Sequence, residues 1–260
     1  IHILFNYYYY NIMEINFNTD LNTEQMAFVN TAKQFASEYI SKQALEWDKR
    51  EIFPRNVLEK SAELGFGALY VSEKEGGTGL KRIDASLIFE ELAAACPSTS
   101  AFLSIHNMAI WMLSEFGNKE IKEKYIKELA SMKKIASYCL TEPGSGSDAG
   151  SLITSALPNE NNSTLKINGA KAFISGAGDS DLYFVMAKTD IKRKNNSEAI
   201  SCLLVEKGIE GLSFGKNETK MGWKNQPTKT VSFDNCEIPF TNIVGRTGEG
   251  FKIAMQGLDG

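Results

Sequence analysis

The segment YCLTEPGSGSDAG, from Tyr138 to Gly150, concentrates groups able to hold a phosphate. Gly144, Gly146 and Gly150 let the backbone turn its N–H groups toward a ligand, and Thr141, Ser145 and Ser147 add hydroxyls. The segment contains no Lys or Arg, so amides and hydroxyls would hold an anion there without a countercharge. Gly144, Gly146 and Ala149 also fit the dinucleotide pattern G-x-G-x-x-A. That pattern needs a helix directly after the loop, with its N-terminus on the pyrophosphate. Here "SLITSAL" runs into Pro158 and the Asn-rich "NENN", which leaves no room for a helix. The region upstream reads as helical, not as alternating strands and helices.

A strand ending at "YCLT", followed by a tight, donor-rich turn, suits a flavin ring and its pyrophosphate better. Phe173 offers an aromatic plate in the segment downstream, and Ser175 falls two residues on, on the same face of a strand. Other residues capable of chemistry have structural readings. Cys96, Cys139, Cys202 and Cys236 are far apart and form no CxxC pair. With only two histidines in the chain, they read as reduced, buried thiols and not as a zinc site. The Glu90–Glu91 pair reads as a solvated helix face. His106 reads as a core histidine, with the border of a ligand pocket as the alternative.

The elements that position these groups change period once. Between about residues 22 and 133 the pattern is helical. Met26, Val29, Ala32, Phe35, Tyr39 and Ile40 form an apolar stripe at three- and four-residue spacing, and Asn22 with Gln25 makes a capping box. Pro54 suits a first helical turn and Gly65 a helix stop. "EGGTGL" is a loop, the helix of "DASLIFEELAAA" ends at Pro97, and "TSAFLSIHNMAIWMLSEFG" is a nearly all-apolar, central helix. From Ile135 the period moves toward two. Asn168-Gly169 predicts a hairpin turn between short strands. "DLYFVMAKT", "AISCLLVEK" and "TVSFDNCEIP" read as further strands of an antiparallel sheet or barrel, and "GEGFKIAMQGLDG" begins a helix.

The 260 residues, 43% of them hydrophobic, are enough for one large core or two ordinary ones. A formal charge of −4 without a basic stripe argues against nucleic acid, and no apolar run reaches the length of a membrane span. The residues before Met13 include a Tyr run and no Lys or Arg, so they are neither a secretory signal nor a basic transit peptide. Residues 1–20 are expected to be a disordered or artefactual N-terminus.

"YCLTEPGSGSD", "KAFISGAG", "GWKNQPT" and "GEGFKIAMQGLDG", with "EWDKREIFP", "ELGFGALYV", "GGTGL" and "SIHN" before them, resemble the acyl-CoA dehydrogenases in the same order. The resemblance extends from about Asn22 to Gly260, and it is strongest to members acting on short branched acyl groups. It implies an α+β fold: an N-terminal all-helical domain at 21–134, an antiparallel β-barrel domain at 135–248, and at 249–260 the start of a C-terminal four-helix domain that is otherwise missing. It implies FAD as cofactor, lined by Tyr138, Cys139, Leu140, Thr141, Glu142, Pro143, Gly144, Ser145, Gly146 and Ser147, with Phe173, Ile174 and Ser175 as a second wall. Many members carry Trp where Phe173 stands; either ring covers a flavin. Ser147, Asp259 and Gly260 are the implied substrate contacts.

The implied reaction is α,β-dehydrogenation of an acyl-CoA thioester. A carboxylate takes the α-proton and the flavin takes the β-hydrogen as hydride. Electron-transfer flavoprotein then accepts the electrons, and the full-length family forms homotetramers; the implied location is the mitochondrial matrix. The family's catalytic glutamate lies in the missing domain, so no catalytic residue is assigned and the chain alone is expected to be inactive. Glu142, weighed as a substitute base, has no such role in the family. An acyl-CoA oxidase, a dehydrogenase of different specificity and a non-catalytic flavin-binding remnant are the competing readings.

Overall fold

The computed structural model describes residues 21–193 and 196–259; the expectations for residues 1–20 and for Gly260 lie outside them. The first half is helical: α1 (Thr23–Phe35, continued by a π turn, Ala36–Ile40), α2 (Ala44–Arg50), α3 (Arg55–Ala62), α4 (Arg82–Ala95), α5 (Pro97–Phe116) and α6 (Lys119–Ala130). The capping box forms as the sequence predicts: the Gln25 N–H donates to Asn22 Oδ1 at 2.9 Å, and the Asn22 N–H to Gln25 Oε1 at 3.2 Å. Gly65 takes a φ of 80° just after α3, where a side chain would be strained. Pro97 opens α5 at its first turn.

The second half is a mostly antiparallel sheet. Its strands are β1 (Ala136–Cys139), β2 (Ser155–Pro158), β3 (Thr164–Ser175), β4 (Leu182–Lys188), β5 (Ile200–Glu206), β6 (Leu212–Phe214), β7 (Thr228–Pro239) and β8 (Ile243–Val244). Hydrogen-bonded neighbours run β6-β7-β3-β2-β4-β5-β8, with β1 on β4. The exceptions to the antiparallel pattern are β1 beside β4, and the single contact of β2 with β4, both parallel. A final helix, α7 (Gly250–Leu258), follows. After the Gly-rich loop a short 3₁₀ turn, Ala149–Ser151, leads to β2, so no helix caps that loop.

The hairpin expected at Asn168-Gly169 is not there. β3 runs through both residues unbroken and pairs with β7 on either side. The chain reverses instead at 159–163, where the Asn159 N–H donates to the Thr164 carbonyl and Asn162 takes a φ of 51°. Gly169 serves a close approach. A Cβ there would stand 2.6 Å from Thr154 Oγ1 and 2.8 Å from Thr154 Cα, so only glycine lets β2 pack this near. The β3–β7 register slips at the same point, between Ile167 and Gly169.

β4 is buried on both faces, which explains its continuous apolar run. Leu182, Phe184 and Met186 join a core with Ile110 and Leu113 of α5, Leu129 of α6 and Ile253 of α7. Tyr183, Val185 and Ala187 point the other way, into the core between the strands. One hydrophobic core therefore spans the helical and sheet halves. Polar contacts reinforce the seam. The Arg55 guanidinium donates to Asp181 Oδ2 at 2.7 Å and to the carbonyls of Asp179 and Lys133. Tyr125 Oη and Lys124 Nζ both reach Glu206 Oε1, at 2.5 and 2.8 Å.

His106 is fully buried on this seam. Its Nδ1 accepts the Ala136 N–H at 3.1 Å, and an amide can only donate, so the proton sits on Nε2, which donates to the Leu129 carbonyl at 3.0 Å. The core-histidine reading holds. Burial pushes its pKa from the ordinary 6.5 down to about 4, against the pull of its backbone hydrogen bonds. The unfolded chain therefore binds a proton that the fold refuses between those values. This contribution to stability is complete above pH 6.5 and declines by about 1.4 kcal/mol per pH unit as pH falls toward 4. Urea unfolding at pH 7 and pH 5 should show a loss in the wild type about 2 kcal/mol larger than in His106→Gln; equal losses would rule His106 out as the source.

Candidate functional site

A cleft of about 1200 Å³ opens between the helical wall of α4 and α5, the loop after β1, the end of β3, and α7. The two sequence segments singled out for a cofactor meet in it. Tyr138, Leu140, Thr141, Gly146 and Ser147 line it from the loop, continued by Asp148–Gly150, and Phe173, Ile174 and Ser175 line it from β3. Asp259 borders it at the end of α7. The other loop residues named from the sequence do not line it. Cys139 is buried in the core between the strands, Pro143 and Gly144 face solvent, and Ser145 is buried with its hydroxyl on the Asp148 carbonyl at 2.5 Å.

Glu142 is also turned away, and its partners explain the loop's shape. Its Oε2 accepts the Ile153 N–H at 2.7 Å, and its Oε1 accepts the Thr154 N–H at 3.0 Å and Lys171 Nζ at 2.8 Å. Lys171 Nζ also donates to the Leu140 carbonyl at 3.0 Å. The Lys171 side chain is wholly buried and that of Glu142 is 3% exposed. One ion pair thus ties both feet of the loop to β3. Burial alone would raise the Glu142 carboxyl, but the two amides and Lys171 hold it below the ordinary carboxylate range. A carboxylate so occupied cannot serve as a base in the cleft.

Phe173 is shaped by its backbone. Pairing between β3 and β7 is interrupted from Lys171 to Ile174, and Phe173 sits there at a φ of 57°, costly for an aromatic residue. The irregularity leaves Phe173 64% exposed and bordering the cleft while Ile174 remains in the core. Regular alternation alone would not bring three consecutive residues to one cleft.

The lining fits a phosphate-bearing, ring-containing group. The amides of Gly146 and Ser147 have no acceptor among the described residues, and neither do the hydroxyls of Thr141, Ser147 and Ser175 engage another side chain. The Tyr138 hydroxyl is buried without a partner, and burial pushes its pKa up. A Cβ added at Gly146 would meet nothing within 4 Å. The sequence reading missed the helical wall: Arg82, Ile83, Ser86 and Phe89 from α4, Ser104, Ile105 and Met108 from α5, with Tyr70 beside them. Serines breaking the apolar run of α5 were the available signal. Among the described residues no cluster of His, Cys, Asp and Glu could hold a metal, all four cysteines are free and buried, and no helix is long and apolar enough to cross a membrane.

Residues 22–133 match the acyl-CoA dehydrogenase N-terminal domain, and residues 137–236 match the acyl-CoA dehydrogenase middle domain. The chain is similar to the mitochondrial isobutyryl-CoA dehydrogenase of Dictyostelium discoideum, with 50% identity over 97% of this chain and 59% of that protein. The Bos taurus enzyme of the same name is 49% identical over 92% of this chain and 56% of its own length. Two solved structures are similar. One, from work on the electron transferring flavoprotein of Acidaminococcus fermentans, has a TM-score of 0.87, 34% identity, and covers 93% of this chain and 63% of its own. The other, a Bacillus anthracis acyl-CoA dehydrogenase complexed with FAD, has a TM-score of 0.84, 31% identity, and covers 92% of this chain and 40% of its own. The chain thus spans somewhat over half the length of these curated relatives.

The Glu142–Lys171 pair yields a stability prediction. Lys171→Met leaves a buried carboxylate without its cation and should cost about 3–5 kcal/mol. The double variant Glu142→Met, Lys171→Met should recover much of that loss in denaturant unfolding. A single-variant loss below about 1 kcal/mol would show that the pair does not anchor the loop.

Proposed function

The chain belongs to the acyl-CoA dehydrogenase family, and from that premise we propose that it forms the flavin- and thioester-binding part of an FAD-dependent dehydrogenase of short branched acyl-CoA, isobutyryl-CoA to methacrylyl-CoA, in valine breakdown. One observation carries the reading: the Tyr138–Ser147 loop and the Phe173–Ser175 strand end border a single cleft, with unpaired donors along it. The names of the isobutyryl-CoA dehydrogenase relatives support the branched substrate, the mitochondrial matrix and the pathway.

On this reading the Leu140 backbone and the Thr141 hydroxyl hold the edge of the flavin ring. Gly146 and Ser147 donate to the ribityl-pyrophosphate, and Phe173, Ile174 and Ser175 form the opposite wall. Ser147, Asp259 and Gly260 orient the acyl-CoA. The bound flavin supplies the acceptor for the β-hydrogen. The chain's own share is binding, orientation and exclusion of water by the apolar side chains of α4 and α5, which strengthens polar contacts inside the cleft. No described carboxylate is assigned to the α-proton. That base belongs to the family's C-terminal helical domain, within the length of the relatives that this chain does not span. Electron-transfer flavoprotein is the proposed electron acceptor, and the homotetramer of the full-length family the proposed assembly.

Two measurements check the reading. FAD titrated into the purified chain should bind, and Thr141→Val with Ser147→Ala should weaken binding by roughly tenfold, a loss of about 1.4 kcal/mol. Anaerobic isobutyryl-CoA should perturb the flavin spectrum without bleaching it, because a positioned base is worth about 10²–10⁴-fold in rate. Failure to bind FAD in a folded chain overturns the cofactor assignment; rapid bleaching overturns the placement of the base.

A further inference from the structure

Among the described residues, Arg82 is the only cationic side chain bordering the cleft. Its guanidinium carbon lies 3.9 Å from the centre of the Tyr70 ring and 4.8 Å from that of Trp111. No carboxylate among the described residues pairs with it within 4 Å. Two aromatic rings therefore fix a long, flat side chain in the cleft wall.

The position of this group follows from the helices. Gly176, directly after the flavin-facing Ser175, packs on Phe102 of α5, where a Cβ would come within 2.5 Å of the ring. Trp111 lies nine residues further along the same helix, about 13 Å at 1.5 Å per residue. Ile105 and Met108 face the cleft between those points. At the far end Gly257 of α7 closes on Met108 and Met112. Between the end of β3 and Arg82 the helical wall presents Ile83, Phe89, Ile105 and Met108, with the hydroxyls of Ser86 and Ser104 among them.

We propose that Arg82, braced by Tyr70 and Trp111, is the end wall of the acyl compartment and limits the acyl chain to short lengths. The inference rests on the acyl-CoA reading above and names the residue that sets its specificity. The cleft's charges fit an uncharged acyl group: Asp148 and Asp259 border it along with Arg82, so its lining carries a formal excess of negative charge. An acyl group that grows toward Arg82 must displace a side chain held on two rings, or leave a guanidinium dehydrated against hydrocarbon.

The test is calorimetric binding of CoA, butyryl-CoA, octanoyl-CoA and succinyl-CoA to the FAD-loaded chain. Wild type should bind butyryl-CoA more tightly than CoA and gain nothing further from octanoyl-CoA. Arg82→Ala should raise the octanoyl-to-butyryl affinity ratio at least tenfold. Arg82→Met, which keeps the bulk and is the safer variant for folding, should stay within about threefold of wild type; circular dichroism verifies the fold of each. Octanoyl-CoA bound by wild type more tightly than butyryl-CoA overturns the wall, as does an Ala variant with an unchanged profile. Succinyl-CoA bound more tightly than butyryl-CoA, with the preference lost in both variants, also overturns it and makes Arg82 a carboxylate receptor. If a folded, FAD-loaded wild type binds none of the four, the acyl-CoA reading falls and takes this inference with it; binding of CoA and butyryl-CoA without length discrimination removes the wall alone.

Discussion

The cleft depends on the buried ion pair between Lys171 and Glu142. The Gly-rich loop closes on itself through the reciprocal amide–carbonyl bonds of Glu142 and Ser145, but its exposed glycines favour the unfolded chain, and the ion pair is what ties the turn to the sheet. Lys171 reaches out of β3 to the Leu140 carbonyl at one foot of the loop, and Glu142 receives the amides of Ile153 and Thr154 at the other. The pair is expensive to bury, and its value lies in geometry more than in net stability. It leaves Thr141, Gly146 and Ser147 turned toward the cleft and gives the Leu140 carbonyl and the Ile153 and Thr154 amides their partners.

The second constraint is that β4 has no solvent face. Leu182, Phe184 and Met186 pack on the helices, while Tyr183, Val185 and Ala187 pack on the strands opposite. This makes the helical wall and the loop parts of one body, with His106 and Arg55 fixing their relative placement through directional hydrogen bonds.

Much of this was legible in the sequence because it is local. The capping box at Asn22, the stop at Gly65, the switch of period near Ile135 and the donor-rich loop are all set by a few adjacent residues. What was not legible depends on distant partners. Asn168-Gly169 has the composition of a turn, but the pairing of β3 with β7 and the closeness of Thr154 keep the strand straight. Glu142 looks like free acid in the loop until Lys171, twenty-nine residues away, is placed beside it. Phe173 was legible as an aromatic plate, yet alternation along a regular strand is not what exposes it. The α5 part of the helical wall was read as a central helix because an apolar side chain facing a cleft and one facing a core look alike in sequence.

The shared core has a mechanical consequence. In proteins whose ligand sites lie between separately packed lobes, a hinge can open the two sides. Here each half has a core of its own, but a third core spans the seam, where α5, α6 and α7 pack directly on β4 and β5. Prying them apart would expose that whole surface to water, so the two halves should melt as one cooperative unit rather than breathe as a clamshell. The cleft already lies open, with Ser147 and Phe173 exposed, so the spacing between loop and helical wall is set during folding, before any ligand arrives.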